Sequence, residues 1–141
     1  MTDGVSLATR REAVTLRWGD EDRYGHVNNV EFFRLLEEAR ARWFLDPDGP
    51  TTLLRHGLVV ARAELRYLRP LNYRTAPVWA HMSVTALTPV SFTVSYRIHD
   101  LESDDSECYA VGEVELVGYD LDAERPRRLT PDEKAWLSGS R

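Results

Sequence analysis

A single long amphipathic segment, from Val30 to about Leu45, dominates this sequence of 141 residues. Its apolar side chains recur every three or four positions, as on one face of an α-helix. They are Phe32, Leu36, Ala39 and Trp43, with Phe33, Leu35 and Phe44 widening the stripe. Asn28 followed by Glu31 predicts a capping box where this helix begins. So wide an apolar stripe has to be buried, and a sheet that curls around the helix would bury it.

Five other segments alternate between apolar and polar side chains, the pattern of half-buried strands. The predicted strands are 13–18, 58–67, 78–87, 91–99 and 108–119. A short helical turn is predicted at 51–56, and Thr130 with Glu133 predicts a second capping box, with Pro131 at the first helical position. The fold class is therefore α+β, with an antiparallel sheet wrapped around one long central helix.

The chain is expected to form one domain. Residues 1–12 show no clear periodicity and are predicted to be a flexible N-terminus. Residues 13–141 are predicted to be a single domain, because the connecting segments are too short to separate two.

Composition excludes several classes of protein. The net charge of -5 disfavours binding to a nucleic-acid backbone. No window approaches the roughly 18 apolar residues of a membrane span, and the first residues lack the pattern of a signal peptide. The single cysteine, Cys108, cannot form an intramolecular disulfide or a thiolate zinc cage. We therefore expect a cytoplasmic protein with neither a nucleic-acid nor a membrane partner.

The loop before the long helix, residues 20–29, holds the densest cluster of reactive side chains. One interpretation is a solvated acidic turn, whose carboxylates are favoured beside the positive end of the helix dipole. A second is a calcium loop, in which positions one, three, six, nine and twelve are Asp20, Asp22, Gly25, Asn28 and Glu31. Against it, Tyr24 removes the ligand at position five, and the preceding segment is predicted to be a strand.

A third interpretation of the loop is acyl transfer. The first N–H groups of a helix have no intrahelical partner and carry partial positive charge. If Asn28 is the N-cap, the N–H of Asn29 can donate to the oxyanion that develops on a bound carbonyl. Asp22 can then serve as nucleophile or as the base for a water. A thioester suits this equipment, because its leaving thiol, with a pKa of roughly 8.5, departs as thiolate without a dedicated acid.

The sequence also carries a family motif. The run Arg-Trp-Gly-Asp-Glu-Asp-Arg-Tyr-Gly-His-Val-Asn-Asn at 17–29, continued by Phe33 and by Leu-Glu-Glu-Ala-Arg at 36–40, resembles the hotdog-fold acyl-CoA thioesterases of the 4-hydroxybenzoyl-CoA thioesterase type, and above all their GHVNN branch. The likeness covers nearly the whole domain. One departure follows Leu71, where many relatives have Gly-Asp and this chain has Asn-Tyr-Arg-Thr at 72–75.

The resemblance implies a role for each matching residue. It places the catalytic aspartate at Asp22 and the oxyanion N–H at Asn29. Gly25 would let the backbone approach the substrate, and His26 and Asn28 would line or brace the pocket. It also implies a homodimer joined edge to edge between sheets, or a homotetramer built from such dimers, with each active site between subunits.

The hypothesis is therefore a hotdog-fold enzyme that hydrolyses an acyl-CoA or acyl-carrier-protein thioester, with no cofactor and no metal. The alternative is a non-catalytic acyl-thioester-binding protein of the same fold. A hotdog dehydratase is disfavoured, because His26 belongs to the thioesterase-type motif. The remaining histidines, His56, His81 and His99, are interpreted as packed or surface residues, and Cys108 as a small buried side chain. The arginines Arg62, Arg66 and Arg69 are interpreted as a solvated strand face, with contacts to coenzyme A phosphates as the alternative.

Overall fold

One long helix and an antiparallel sheet organise the molecule. Its structure is a computed structural model that describes residues 7–50 and 57–139. The strands are β1 (Thr9–Val14), β2 (Leu58–Tyr67), β3 (Val78–Leu87), β4 (Ser91–His99), β5 (Cys108–Asp120) and β6 (Arg125–Pro126). The helices are α1 (Asn29–Phe44) and α2 (Pro131–Leu137), and a 3-10 turn spans Trp18–Asp20. The helical turn predicted at 51–56 lies outside the described residues.

The sheet wraps around α1 as predicted. Its strands run in the order β1-β3-β4-β5-β2, every neighbouring pair is antiparallel, and the short β6 pairs with the end of β5. The predicted stripe faces this sheet, with Phe32, Leu36, Ala39 and Trp43 each at most 2% exposed. The α+β prediction is therefore confirmed, and the four strands after the helix lie within one residue of their predicted bounds.

The first strand was predicted in the wrong place. It spans Thr9–Val14 and pairs with β3 from Thr9 opposite Ser83 to Val14 opposite Val78, whereas the prediction was 13–18. Residues 9–12, expected in the flexible N-terminus, are thus part of the sheet. Apolar alternation missed them because their inward positions are polar: Arg10 donates to Asp46 at 2.8 Å and to Glu12 at 3.1 Å.

Helix α1 begins at the predicted cap but without the predicted box. Asn28 is the N-cap, and its Oδ1 accepts from the N–H of Val30 at 2.9 Å. Glu31 does not reach back; its carboxylate binds Arg17 at 2.8 Å and Arg34 at 3.0 Å. A carboxylate binds a charged guanidinium more strongly than a neutral backbone N–H. Glu31 therefore pairs with Arg17 and Arg34 instead of the N–H of Asn28. At α2 the predicted box between Thr130 and Glu133 does form, and that prediction is confirmed.

Strand β2 is left largely uncovered. Helix α1 packs mainly against β1 and β3, and most β2 residues on both faces are exposed, Tyr67 by 42%. Within the described residues only β5 pairs with β2, so its other edge carries free backbone groups. No helix in the described part of the chain is long and apolar enough to cross a membrane.

Candidate active site

The motif loop is a tight structure held by its own backbone. The N–H of Asp22 donates to the carbonyl of His26, and the N–H of Gly25 donates to the carbonyl of Asp22, both at 3.0 Å. Gly25 has a φ of 81°, in the left-handed region that side chains disfavour, and an added Cβ would meet no atom within 4 Å. Backbone strain, rather than lack of space, therefore explains glycine at this position.

Asp20 anchors the loop to α1. Its carboxylate is fully buried and accepts from the N–H of Arg17 at 2.8 Å, the Arg17 guanidinium at 2.9 Å and the Arg34 guanidinium at 2.7 Å. Burial alone would raise the pKa of Asp20, but the hydrogen bonds from Arg17 and the charge of Arg34 lower it overall. Both lone-pair edges of this carboxylate are occupied, so Asp20 has a structural role.

Asp22 sits in a different environment. Its Oδ1 accepts from the N–H of Tyr24 at 2.9 Å, and its Oδ2 accepts from the side-chain amide of Asn28 at 3.0 Å. These two bonds, the Tyr24 bond first, hold the pKa of Asp22 below its usual value. No cation forms an ion pair with it within the described residues. Asp22 is therefore ionised at neutral pH and oriented by neutral donors.

Asn28 joins this carboxylate to the helix end. Its Oδ1 caps α1 at Val30, while its Nδ2 holds Asp22. The next residue, Asn29, is exposed, and its N–H meets no hydrogen-bond acceptor across residues 7–50 and 57–139. The structure thus brings Asp22 and Asn28 into contact beside a free N–H at the positive end of α1.

Gly25 and His26 contribute less direct contacts. The carbonyl of Gly25 accepts from the Asn72 side chain at 2.8 Å. His26 is exposed, and its ring makes no hydrogen bond or ion pair with any described residue. Both residues border the same loop as Asp22, but the structure assigns neither a bond to it through a side chain.

Three further residues hold the site, and sequence reasoning did not find their roles. The Tyr67 hydroxyl donates to the carbonyl of Asn29 at 2.8 Å, which ties the end of β2 to the first turn of α1. The N–H of Tyr73 donates to Glu21 at 2.8 Å, and Asn72 binds Gly25 as described. The only signal was the departure from the family pattern at 72–75, where Asn72 and Tyr73 lie.

The calcium interpretation is contradicted. Its first and twelfth ligands, Asp20 and Glu31, are bound to Arg17 and Arg34 instead of being open to a cation. Among the described residues, no three His, Cys, Asp or Glu side chains are grouped closely enough to hold a metal ion. A 3-10 turn, not the helix of such a motif, precedes the loop.

Two other features lie away from this loop. A cavity of about 1170 Å³ crosses the outer face of the sheet, and none of the candidate site residues lines it. Also on that face, the rings of His81 and His99 stack at 4.2 Å, and both are buried. The interpretation of these two histidines as packed residues is confirmed, whereas His56 lies outside the described residues.

Comparisons with known proteins identify the class. The structure of candidate thioesterase PA2801 from Pseudomonas aeruginosa is 32% identical and has a TM-score of 0.71; the match covers 89% of this chain and 93% of that one. XC229 from Xanthomonas campestris, a candidate acyl-CoA thioesterase, is 34% identical over 85% of this chain and 97% of its own, with a TM-score of 0.68. A Thermus thermophilus thioesterase complexed with coenzyme A and Zn is 29% identical, with a TM-score of 0.74, over 93% of this chain and 95% of its own.

The fold and these relatives define a hotdog-fold thioester hydrolase. More particularly, the chain belongs to the thioesterase-like superfamily, whose family model matches residues 16–137. The resemblance to the hotdog-fold thioesterases and the assignment to the thioester hydrolases are therefore confirmed, while the GHVNN branch stays a prediction.

Proposed function

We propose that this protein hydrolyses acyl-CoA thioesters, with Asp22 as the acid–base or nucleophilic group and the Asn29 N–H as the oxyanion donor. The observation that carries the proposal is the double use of Asn28, which caps α1 and holds Asp22. It sets an ionised carboxylate beside an unpaired N–H at a helix terminus. Coenzyme A as the thiol is supported by the Thermus thermophilus relative, which was solved as a complex with it.

Two routes use these groups. In the nucleophilic route, an Asp22 oxygen bonds to the thioester carbon, the oxyanion accepts from the Asn29 N–H, and the C–S bond breaks to release thiolate. Water then hydrolyses the resulting anhydride and restores the carboxylate. In the general-base route, Asp22 takes a proton from the water that attacks, and the proton later passes to the thiolate. Both routes give free acid and thiol.

The other residues of the loop would serve the substrate. Gly25 and His26 lie in the same loop as Asp22 and are proposed to line the substrate site, as is Asn28 through its amide. Asp22 is ionised without a base beside it because its pKa is lowered, which fits a leaving group that needs no acid. Acyl-carrier-protein thioesters have the same reacting group and belong in the same substrate panel.

The test is thiol release from a panel of CoA and carrier-protein thioesters. Asp22→Asn should lower kcat/KM on the order of 10³-fold, the usual contribution of a positioned acid–base group. Asp105→Asn, on the exposed β4–β5 loop, is the matched control. Full activity in a folded Asp22→Asn variant would remove Asp22 from its role. Saturable binding with no turnover on any ester would instead identify a non-catalytic binder.

The two routes are separated by one turnover in oxygen-18-labelled water with enzyme in excess. The nucleophilic route hydrolyses the anhydride and allows label to enter the Asp22 side chain, whereas the general-base route places label in the released acid alone. Mass analysis of the peptide that contains Asp22 shows whether its side chain carries the label.

We also propose that two copies join through β2, as a dimer or as the unit of a tetramer. Four apolar side chains on or beside this strand are exposed by 37% to 49%: Val59, Val60, Tyr67 and Leu68. A long, apolar, unpaired edge strand invites pairing with another chain, and a two-fold axis would let the same edge cover itself. Such a dimer extends the sheet and covers the open face beside Tyr67.

A further inference from the structure

Arg40 is the unpaired arginine of helix α1. The other two arginines of the helix form ion pairs. Arg34 pairs with Asp20, Glu31 and Glu38, and Arg42 pairs with Glu38. Arg40 is half-buried, yet it has no ion pair with any acid of the described residues, including Glu37 one turn earlier. A cation withdrawn from water without a counter-charge is costly. Within residues 7–50 and 57–139, the surroundings of Arg40 therefore lack an anion.

Tyr96 on β4 presents a second polar group at the same place. Its side chain is 1% exposed, and among the described residues its hydroxyl donates to no acceptor, with the Arg40 side chain beside it. Burial raises the pKa of Tyr96, and the charge of Arg40 and a hydrogen bond from its side chain partly offset this rise. The hydroxyl therefore faces a cation and keeps its own proton free to donate, while Arg40 has no acidic partner among the described residues.

Sheet register relates this pair to the candidate active site. Tyr67, which binds Asn29, lies in the row that continues through Ala110 and Ile98. Tyr96 lies in the next row on the same face, with Gly112 and Leu65. Adjacent same-face rows are two residues apart, about 7 Å along the strand. The Tyr96 row is thus next to the row of Tyr67, which supports the N-terminus of α1, and lies about 7 Å from it along the strands.

The helix gives a consistent distance. Eleven residues separate Asn29 from Arg40, about 16 Å along the axis. Helical side chains lean toward the N-terminus, which places the guanidinium on the order of 10 Å from the Asn29 N–H. An acyl chain of intermediate length, with its carbonyl at Asn29, would end near this pair.

We infer that Arg40 and Tyr96 form a specificity site for a carboxylate at the far end of the acyl group. The inference rests on the proposed function and deepens it. Arg40 supplies charge and Tyr96 a hydroxyl donor, and a carboxylate can accept from both. The preferred substrate class is therefore a thioester of a dicarboxylic acid, with the second carboxylate free.

The test compares two esters of equal length, octanoyl-CoA and the mono-CoA thioester of octanedioic acid, on the intact oligomer. Wild type should prefer the carboxylate ester by about tenfold or more in kcat/KM, a difference of 1.4 kcal/mol. Arg40→Met should abolish this preference, Arg40→Lys should retain part of it, and Tyr96→Phe should reduce it. Arg42→Met, which removes the next arginine along the helix, is the matched control and should keep the preference.

The outcomes separate the two proposals. Equal kcat/KM for both esters in wild type, or an unchanged ratio in Arg40→Met, overturns the carboxylate site and leaves the hydrolase intact. Loss of oligomer in Arg40→Met with no change in ratio assigns the missing anion to a second copy and also overturns it. If neither these esters nor any other ester of the panel is hydrolysed, the proposed function fails, and calorimetric binding of the two esters decides the carboxylate site: equal affinity contradicts it.

Discussion

Asp20 and Asp22 stand two positions apart in the chain and have opposite surroundings. Asp20 is enclosed by Arg17 and Arg34, while Asp22 is held by a backbone N–H and an amide. A carboxylate that two guanidinium groups already bind has little capacity left for a substrate or a water. The environment, rather than the residue type, therefore separates the anchoring acid, Asp20, from Asp22, the acid proposed to react.

Removing the anchor should destabilise the fold. We expect Asp20→Asn to lower the free energy of unfolding by about 3 kcal/mol at neutral pH, because it breaks a buried charge network. The folded-state pKa of Asp20 is lowered, so its contribution is present above an unfolded pKa of about 3.9 and is lost as the pH falls through the folded value. Urea unfolding of wild type and Asp20→Asn across the acidic range measures this.

Wild type and Asp20→Asn should differ most at neutral pH and converge as the pH falls through the lowered folded-state pKa of Asp20. Asp105→Asn serves as the control, since that acid is exposed. A constant difference between wild type and Asp20→Asn over the whole range would contradict the account.

Sequence could identify Asp22 and Asn29 because local spacing carries the signal: a capping residue, a helix that follows and an acid six residues before the cap. It could not identify Arg34 as the partner of Asp20 or Tyr67 as the partner of Asn29. Those contacts join residues 14 and 38 positions apart. Nothing in local periodicity specifies which side chains tertiary packing will bring together.

At the scale of elements, the start of α1 combines two tasks that other helix ends keep apart. Asn28 caps the helix and positions Asp22, whereas Thr130 only caps α2, in a box with Glu133. The two caps thus form a natural pair for comparison.

Both cap deletions should cost stability, but only one should change catalysis. Asn28→Ala and Thr130→Ala should each lower the free energy of unfolding by about 1 kcal/mol. Asn28→Ala also removes a hydrogen bond that lowers the pKa of Asp22, so the acidic limb of its kcat/KM profile should move to higher pH. Thr130→Ala should leave that limb where it is. Identical pH profiles for the two variants would contradict the link between the cap and Asp22.

Element bounds followed from the sequence wherever one face is apolar. The strands from β3 to β5 and helix α1 were predicted within a residue, because burial imposes periods of two or 3.6 on their side chains. Strand β2 was also predicted within a residue, from the alternation in its sequence, although most of its residues are exposed. The position of strand β1 was predicted wrongly because its inward residues, Arg10 and Glu12, are polar and leave no apolar pattern. Arg10 forms ion pairs with both Glu12 and Asp46. The capping box predicted at Glu31 does not form for a similar reason, because the Glu31 carboxylate binds Arg17 and Arg34 instead of the backbone N–H of Asn28.

At the scale of the whole molecule, the uncovered edge of β2 is the feature that most needs a partner. Val60→Lys should disrupt the proposed pairing, because a lysine on an edge strand opposes strand addition. Sedimentation should give twice the chain mass of 16.2 kDa, or four times, for wild type and the single chain mass for the variant. Thiol release should fall with the loss of the oligomer.

Val90→Lys is the matched control, because Val90 is also an exposed valine, by 39%, but lies in the β3–β4 turn. It should remain oligomeric and active. A wild-type monomer with full activity would contradict the assembly through β2.

The shared amide of Asn28 has a thermal consequence. Fraying ends and loops open at lower free energies than the core of a fold. Here the first turn of α1 cannot open without also releasing the Asp22 carboxylate and displacing the Asn29 N–H. Under the proposed mechanism, catalysis should then be lost reversibly while the strands remain paired, and the temperature range of activity should be narrower than the range in which the protein stays folded.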